Sequence, residues 1–295
     1  MDDKDWLAGQ FDTNRTHLRS VAYKMLGSLA EADDAVQETW FRLSRTNTAE
    51  IENLTGWLTT VTARVCLNML RSRASRREES LSVHLPDPIV SNENGVDPEH
   101  QALLADSVGL ALLVVLETLT PAERLAFVLH DMFAMPFEDI APIVDRSPAA
   151  ARQLASRARR RVQGSAATPD VDLSRQREVV DAFIAAARAG DFEALVAVLD
   201  PDVVLRADRG AAAAGAMDEV RGASAVAQRA LMFARFAEYG RMALVNGAVG
   251  IVTAPGGEPF AVMGFTVAGG KIVELDVLAD PERLRQLDLA VLDDL

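Results

Sequence analysis

Cysteine is nearly absent. Cys66 is the only one in 295 residues, which excludes a disulfide framework and any cysteine-built metal cluster. Histidine is scarce, and His17, His84, His100 and His130 all precede residue 165. The C-terminal part can therefore build no Asp/His dyad. No apolar run reaches the roughly 20 residues that span a bilayer. The opening Met-Asp-Asp-Lys-Asp is acidic and polar, unlike a secretory signal. The expectation is a cytoplasmic protein with no membrane partner. Positive charge is also in deficit: 30 Lys and Arg face 43 Asp and Glu, for a net charge of −13. That balance argues against a free-standing DNA binder, because phosphate contacts dominate such affinity.

What is present is ample apolar material, 49% of the chain, on a length that allows two or three domains. Charge is unevenly spread. Residues 1–165 hold 18 Lys/Arg and 23 Asp/Glu, and residues 166–295 hold 12 and 20. The basic residues of the first part fall into two clusters on an otherwise acidic body.

Residues 6–45 read as helix, with Gly27-Ser28 breaking the run. After that break, Leu29, Ala32, Val36, Trp40 and Leu43 form one apolar stripe at 100° per residue. Asp34, Glu38 and Phe41 lie opposite, with Gln37 at the edge. Such a face is either a solvated acidic surface with one stray aromatic or a docking surface for a basic partner.

A second helix spans 54–73, with Asn53 or Thr55 as its cap. Ala63, Cys66, Leu67 and Leu70 lie on one side; Trp57, Arg64, Asn68 and Arg71 share the other, and Arg73, Arg76 and Arg77 extend the charge. That stripe suits base stacking and phosphate contact. It equally suits a core tryptophan beside arginines that complement a helix C-terminus. Residues 78–108, punctuated by Pro86, Pro88, Gly95 and Pro98, read as a linker able to hold two domains apart.

Residues 109–163 read as a helical domain. Leu110–Leu119 is apolar, Thr120-Pro121-Ala122-Glu123 is a capping box, and the helix it opens runs to about Met132. A short helix from Pro136 to Val144, a turn at Asp145-Arg146-Ser147 and a last helix from Pro148 to about Val162 form a helix-turn-helix pattern. Ala151, Leu154, Ala155, Ala158 and Val162 face inward. Arg152 and Gln153 carry the groups that read guanine and adenine edges, and Ser156, Arg157, Arg159 and Arg160 complete the candidate DNA-binding set. An ordinary helical hairpin with an Arg-rich end has the same pattern.

The order and spacing of Ala30–Leu43, Gly56–Arg73 and Leu119–Arg161 resemble a bacterial RNA polymerase sigma factor of the extracytoplasmic-function type. The resemblance implies that Asp34, Gln37, Glu38 and Phe41 dock on the coiled coil of the polymerase β′ subunit, with the β subunit as a further contact. It also implies that the loop before Asn53, with Arg64, Asn68 and Arg71, reads the promoter −10 element, and that Arg152, Gln153 and Ser156 read the −35 element. Pro142 departs from the pattern, since it removes a helix hydrogen bond and predicts a short or kinked helix.

Residues 164–173 read as a second linker. Beyond it come helices over Gln176–Ala189, Asp191–Leu199 and Ser224–Tyr239, and strands over Val203–Ala207, Met242–Thr253, Phe260–Ala268 and Lys271–Leu278. Helices followed by a curved antiparallel sheet resemble a SnoaL-like (nuclear-transport-factor-like) domain, which a subgroup of these sigma factors carries. Leu85-Pro86-Asp87-Pro88 and Asp280–Leu284 resemble that subgroup's signature segments. Where the subgroup often has a Gly-rich segment with a lysine, Asp208 is followed by Arg209-Gly210 and an alanine run.

The fold expected is thus multi-domain. Two all-α sigma domains, region 2 at 1–77 and region 4 with its helix-turn-helix at 109–163, precede an α+β cone-shaped SnoaL-like domain at 174–295. Arg206, Asp208, Glu274 and Asp276 are candidates for a regulatory pocket or contact there, the last two on one strand face with Ile272 and Leu278. No catalytic residue, metal or cofactor is expected. The partners expected are core RNA polymerase, promoter DNA and a small ligand of the C-terminal domain. A rival reading of the same parts is a one-component, ligand-sensing helix-turn-helix regulator.

Overall fold

Three helices open the chain: α1 (Asp3–Leu26), α2 (Leu29–Leu43) and α3 (Leu54–Arg77). Their geometry comes from a computed structural model, which describes residues 3–47, 51–77, 85–91, 109–165, 169–210 and 218–289. Gly27 turns the chain at φ 69°, and the Ser28 hydroxyl caps α2 by accepting the Glu31 N–H. Phe11, Leu18, Val36, Leu43 and Leu58 form one core cluster, with Trp40 and Trp57 packed beside it. Buried Thr39 and Thr62 share a 3.0 Å hydroxyl contact that ties α2 to α3.

Four more helices follow: α4 (Leu110–Glu117), α5 (Pro121–Phe127), α6 (Phe137–Val144) and α7 (Pro148–Ser165). The Thr120/Glu123 capping box forms as expected. The helix it opens continues to Met132, but its last turn, Val128–Met132, is π-helical. Pro142 sits inside α6 without breaking it; that helix is eight residues long and ends where Asp145 turns left-handed at φ 57°. Arg124 on α5 is 2% exposed. Its guanidinium donates to the Lys24 carbonyl at the end of α1 and to Glu117 Oε1, the latter at 2.6 Å.

The chain divides into two units, Met1–Leu81 with Val115–Ser165, and Ser82–Val114 with Ala166–Leu295. In the second unit α8 (Leu173–Ala189), α9 (Phe192–Val198) and α10 (Ala223–Met232) accompany a seven-stranded sheet. Its strands are β1 (Val90–Ser91), β2 (Leu199–Asp208), β3 (Asp218–Arg221), β4 (Gly240–Val245), β5 (Ala248–Thr253), β6 (Ala261–Ala268) and β7 (Lys271–Leu278), in the order β1-β4-β5-β6-β7-β2-β3. A short α11 (Pro281–Leu284) follows, capped by Asp280. Val180 and Phe183 of α8 pack on Leu205, Val249, Phe265 and Leu275 of the sheet, with the Phe183 and Phe265 rings edge to face.

Four expectations are corrected here. The sheet is mixed, since β2 and β7 pair in parallel. The run Met242–Thr253 is two strands, split by Asn246-Gly247 at φ 50° and 79°, the positive φ pair of a type I′ hairpin turn. Ile272 does not share a face with Glu274 and Asp276. The register with β6 slips between Thr266 and Val267 and leaves Val273 without a partner. This bulge turns Ile272 toward the helices with Leu275. Finally, the described part of the 78–108 linker is no free spacer. Leu85, Ile89 and Val90 are buried, and Val90 and Ser91 form the first strand of the sheet, antiparallel to β4. Gly95 and Pro98 lie outside the described residues.

Candidate functional site

Helix α2 separates its faces as its periodicity demands. Ala32, Ala35, Val36, Thr39 and Leu43 are buried, while Asp34, Gln37 and Glu38 are exposed. Phe41 is 45% exposed beside them. Glu38 holds Arg42 at 2.9 Å, one turn on, and Asp33 holds Arg19 of α1 at 2.7 Å. A groove of about 410 Å³ runs alongside, lined in part by Asp12, Arg15, Asp33, Asp34 and Gln37. Asp12 and Asp33 thus join the acidic surface. Their helix spacing alone did not single them out, because the groove needs α1 laid against α2.

On α3 the candidate residues split into two groups. Arg64, Asn68 and Arg71 are exposed on one side. The Asn53 side chain accepts the Gly56 N–H at 3.0 Å and so caps the helix. Trp57 is half-buried against the α1–α2 core. Arg73 donates to Glu31 at 3.1 Å and to the Leu26 carbonyl at 2.9 Å, which ties the end of α3 to the α1–α2 corner. Arg76 and Arg77 have no described side chains. Cys66, on the inner side, is fully buried, and burial pushes its thiol up to about 12.

Helix α7 divides in the same way. Ala151, Ala155 and Ala158 are buried, while Arg152, Gln153, Ser156 and Arg160 are exposed. Arg152 lies over the Phe137 ring at 5.3 Å. Three other arginines tie α7 down. Arg157 and Arg161 approach the buried Glu123 at 3.4 and 3.2 Å, and Arg159 bonds Asp131 at 2.8 Å. The small residues beneath and the polar groups above leave Arg152, Gln153, Ser156 and Arg160 on one exposed face.

In the second unit, half-buried Arg206 and the buried Glu274 and Asp276 form a cluster. Arg206 Nη1 is 3.2 Å from Asp276 and 3.6 Å from Glu274. Burial pushes the Asp276 carboxyl up from 3.8 to about 6, with Arg206 opposing the rise and Glu274 adding to it. Asp208 belongs to a different set. It accepts the Leu85 N–H at 3.0 Å and an Arg283 N–H at 2.9 Å. Arg283 also donates to Asp87 at 2.8 Å and to the Leu85 carbonyl at 2.6 Å. A cavity of about 340 Å³ lies on the other face of the sheet, bounded by Leu205, Ala207, Leu275 and Val277. None of Arg206, Asp208, Glu274 or Asp276 lines it.

Two sequence families match this chain: sigma-70 region 2 over residues 10–76 and sigma-70 region 4 over residues 109–162. The ECF RNA polymerase sigma factor SigJ of Mycobacterium tuberculosis is 40% identical over 290 residues, covering 93% of this chain and 92% of SigJ. The chain belongs to the ECF RNA polymerase sigma factors. The probable ECF sigma factor SigI of the same species is 34% identical over 97% of this chain and 98% of its own length. The crystal structure of M. tuberculosis SigJ superposes at a TM-score of 0.77 with 36% identity, covering 96% of this chain and 99% of SigJ.

Membership of a non-enzymatic initiation-factor family brings with it binding to core RNA polymerase and promoter DNA, and it sets aside the one-component regulator. Among the described residues, no helix of the sigma factor is long and apolar enough to cross a membrane, and no group of three or more His, Cys, Asp or Glu side chains could hold a metal ion. The Arg283 clamp was not legible in the sequence. Leu85–Pro88 and Asp280–Leu284 each stood out as segments, but nothing in either says that they meet across nearly 200 residues.

Proposed function

We propose that this sigma factor is modulated by its own C-terminal domain through the linker that joins its two promoter-reading regions. One observation carries this reading: Leu85–Ser91, between region 2 and region 4, is built into the C-terminal sheet by β1 and by the Arg283 clamp. Whatever loosens that strand lengthens the tether between the regions and changes the span they cover.

The docking assignments are part of the same proposal. Asp34, Gln37, Glu38 and Phe41 meet the coiled coil of β′, with the β subunit as a further contact. Arg64, Asn68 and Arg71, with the loop before Asn53, read the −10 element. Arg152, Gln153, Ser156 and Arg160 read the −35 element, while Asn53, Trp57, Arg73, Arg157 and Arg159 support those surfaces through the contacts described above. The site of action is the cytoplasm, where core polymerase works.

Two experiments test this. Asp34→Lys with Glu38→Lys abolishes capture of core polymerase in a pull-down; unchanged capture sinks the docking face. Arg283→Ala shifts the yield of run-off transcription with core enzyme; unchanged yield sinks the modulatory role.

A further inference from the structure

The 340 Å³ cavity lies between α8, the turn after α10 and the inner face of the sheet. Its size falls within the roughly 300–1,000 Å³ of small-molecule sites. The wall is aromatic and aliphatic, with Phe183, Phe233, Phe236 and Phe260 as its large members. Phe233 and Phe260 are each 38% exposed, an apolar surface left open to water. Among the described residues that line the cavity, the charged ones are Arg209 and Arg229. Both lean on one carboxylate: Arg229 pairs with Asp218, and Arg209 stands 3.8 Å from it. Arg209 also lies over the Phe233 ring at 5.6 Å. Two guanidiniums against one carboxylate leave an excess positive charge at an apolar wall. Among the described residues, no Asp, Glu, His, Cys or Tyr lines the cavity, and the one hydroxyl there is that of buried Thr253.

We infer that this cavity is a binding site for an apolar carboxylate, whose body fills the phenylalanine-lined space and whose anionic head pairs with Arg209. An arginine fork suits a carboxylate bidentately, and an apolar body gains by leaving water. The site rests on the proposed role of the C-terminal domain only in giving the ligand something to regulate.

The test is calorimetric titration of the full-length protein with dodecanoate, dodecanol and dodecylamine. Dodecanoate binds as one equivalent, dodecanol binds at least about tenfold more weakly, and dodecylamine does not bind. Arg209→Gln removes about tenfold in dodecanoate affinity and leaves dodecanol unchanged. Ala230→Phe and, as a second filling variant, Ala237→Phe abolish binding of both, with folding checked by circular dichroism. Absence of dodecanoate binding, equal binding of the alcohol, or binding retained in both filled variants overturns the inference. Run-off transcription separates the two claims. Dodecanoate binding with no Arg283→Ala effect leaves the site standing and the modulatory role fallen. The reverse result leaves the role and removes this ligand.

Discussion

Asp276 holds a carboxylate where water scarcely reaches, at 2% exposure. Its pKa lies at about 6 in the folded protein against 3.8 in the open chain. The folded state therefore binds the extra proton between those values, and the stability this gives is full at low pH and is lost as pH rises through about 6. At neutral pH the ionised, buried carboxylate therefore works against the folded state. Asp276→Asn is expected to raise the thermal midpoint at neutral pH and to flatten its fall across that window, as measured by calorimetry over a pH series. Arg206 keeps Glu274 at 3.6 Å and Glu219 at 3.7 Å in that variant. Arg124 is the opposite case. Its side chain is buried with that of Glu117 in a 2.6 Å pair, and Arg124→Met is expected to destabilise the first unit by about 3–5 kcal/mol in denaturant titration. Neither burial was legible in the sequence. An arginine inside a helical pattern reads as surface, and only the approach of α5 to the end of α1 buries it.

The helices were largely legible as elements because their apolar spacing and caps agree: Ser28, Thr120 and Gly190 all start or stop helices where the pattern changes. The strands were less so. The bulge at Val273 breaks the period-two alternation from which strand faces are read, and β1 and β3 are too short to show any period. On α7 the outward positions were legible, but the division of labour among its arginines was not, since Glu123 and Asp131 come from a different helix and its π-helical turn. That division gives a prediction. Arg152→Ala loses its contact with the Phe137 ring and is expected to lower stability by no more than about 1 kcal/mol, while costing about 1–3 kcal/mol in discrimination among −35 sequences, read from run-off yields on a promoter panel. Arg159→Ala removes an exposed tie to Asp131 and should cost less than about 1 kcal/mol of stability. The linker strand gives a second prediction. Arg283→Ala is expected to speed hydrogen exchange at the Leu85 and Ile89 amides, whose N–H groups are held by Asp208 and Asn246.

For the molecule as a whole, the net charge of −13 disfavours binding to the phosphates of free DNA. The protein alone is expected to bind promoter duplex no more tightly than about micromolar at physiological salt, and fluorescence anisotropy should show tight binding only once core polymerase is added. The domain order was legible because two basic helices follow an acidic one at a recognisable spacing. The partition into units was not, because it depends on which sheet claims the middle of the chain. Leu85, Ile89 and Val90 are buried in a sheet whose other six strands begin only at Leu199. The C-terminal domain is therefore not one stretch of gene. A fragment starting at Ala166 would expose the backbone edge of β4, an invitation to pair with a second chain. A fragment ending at Ser165 would carry an apolar segment whose sheet is gone. Cutting the chain at its apparent boundary yields two damaged halves, and the sound way to dissect it is to move β1 together with the sheet it completes.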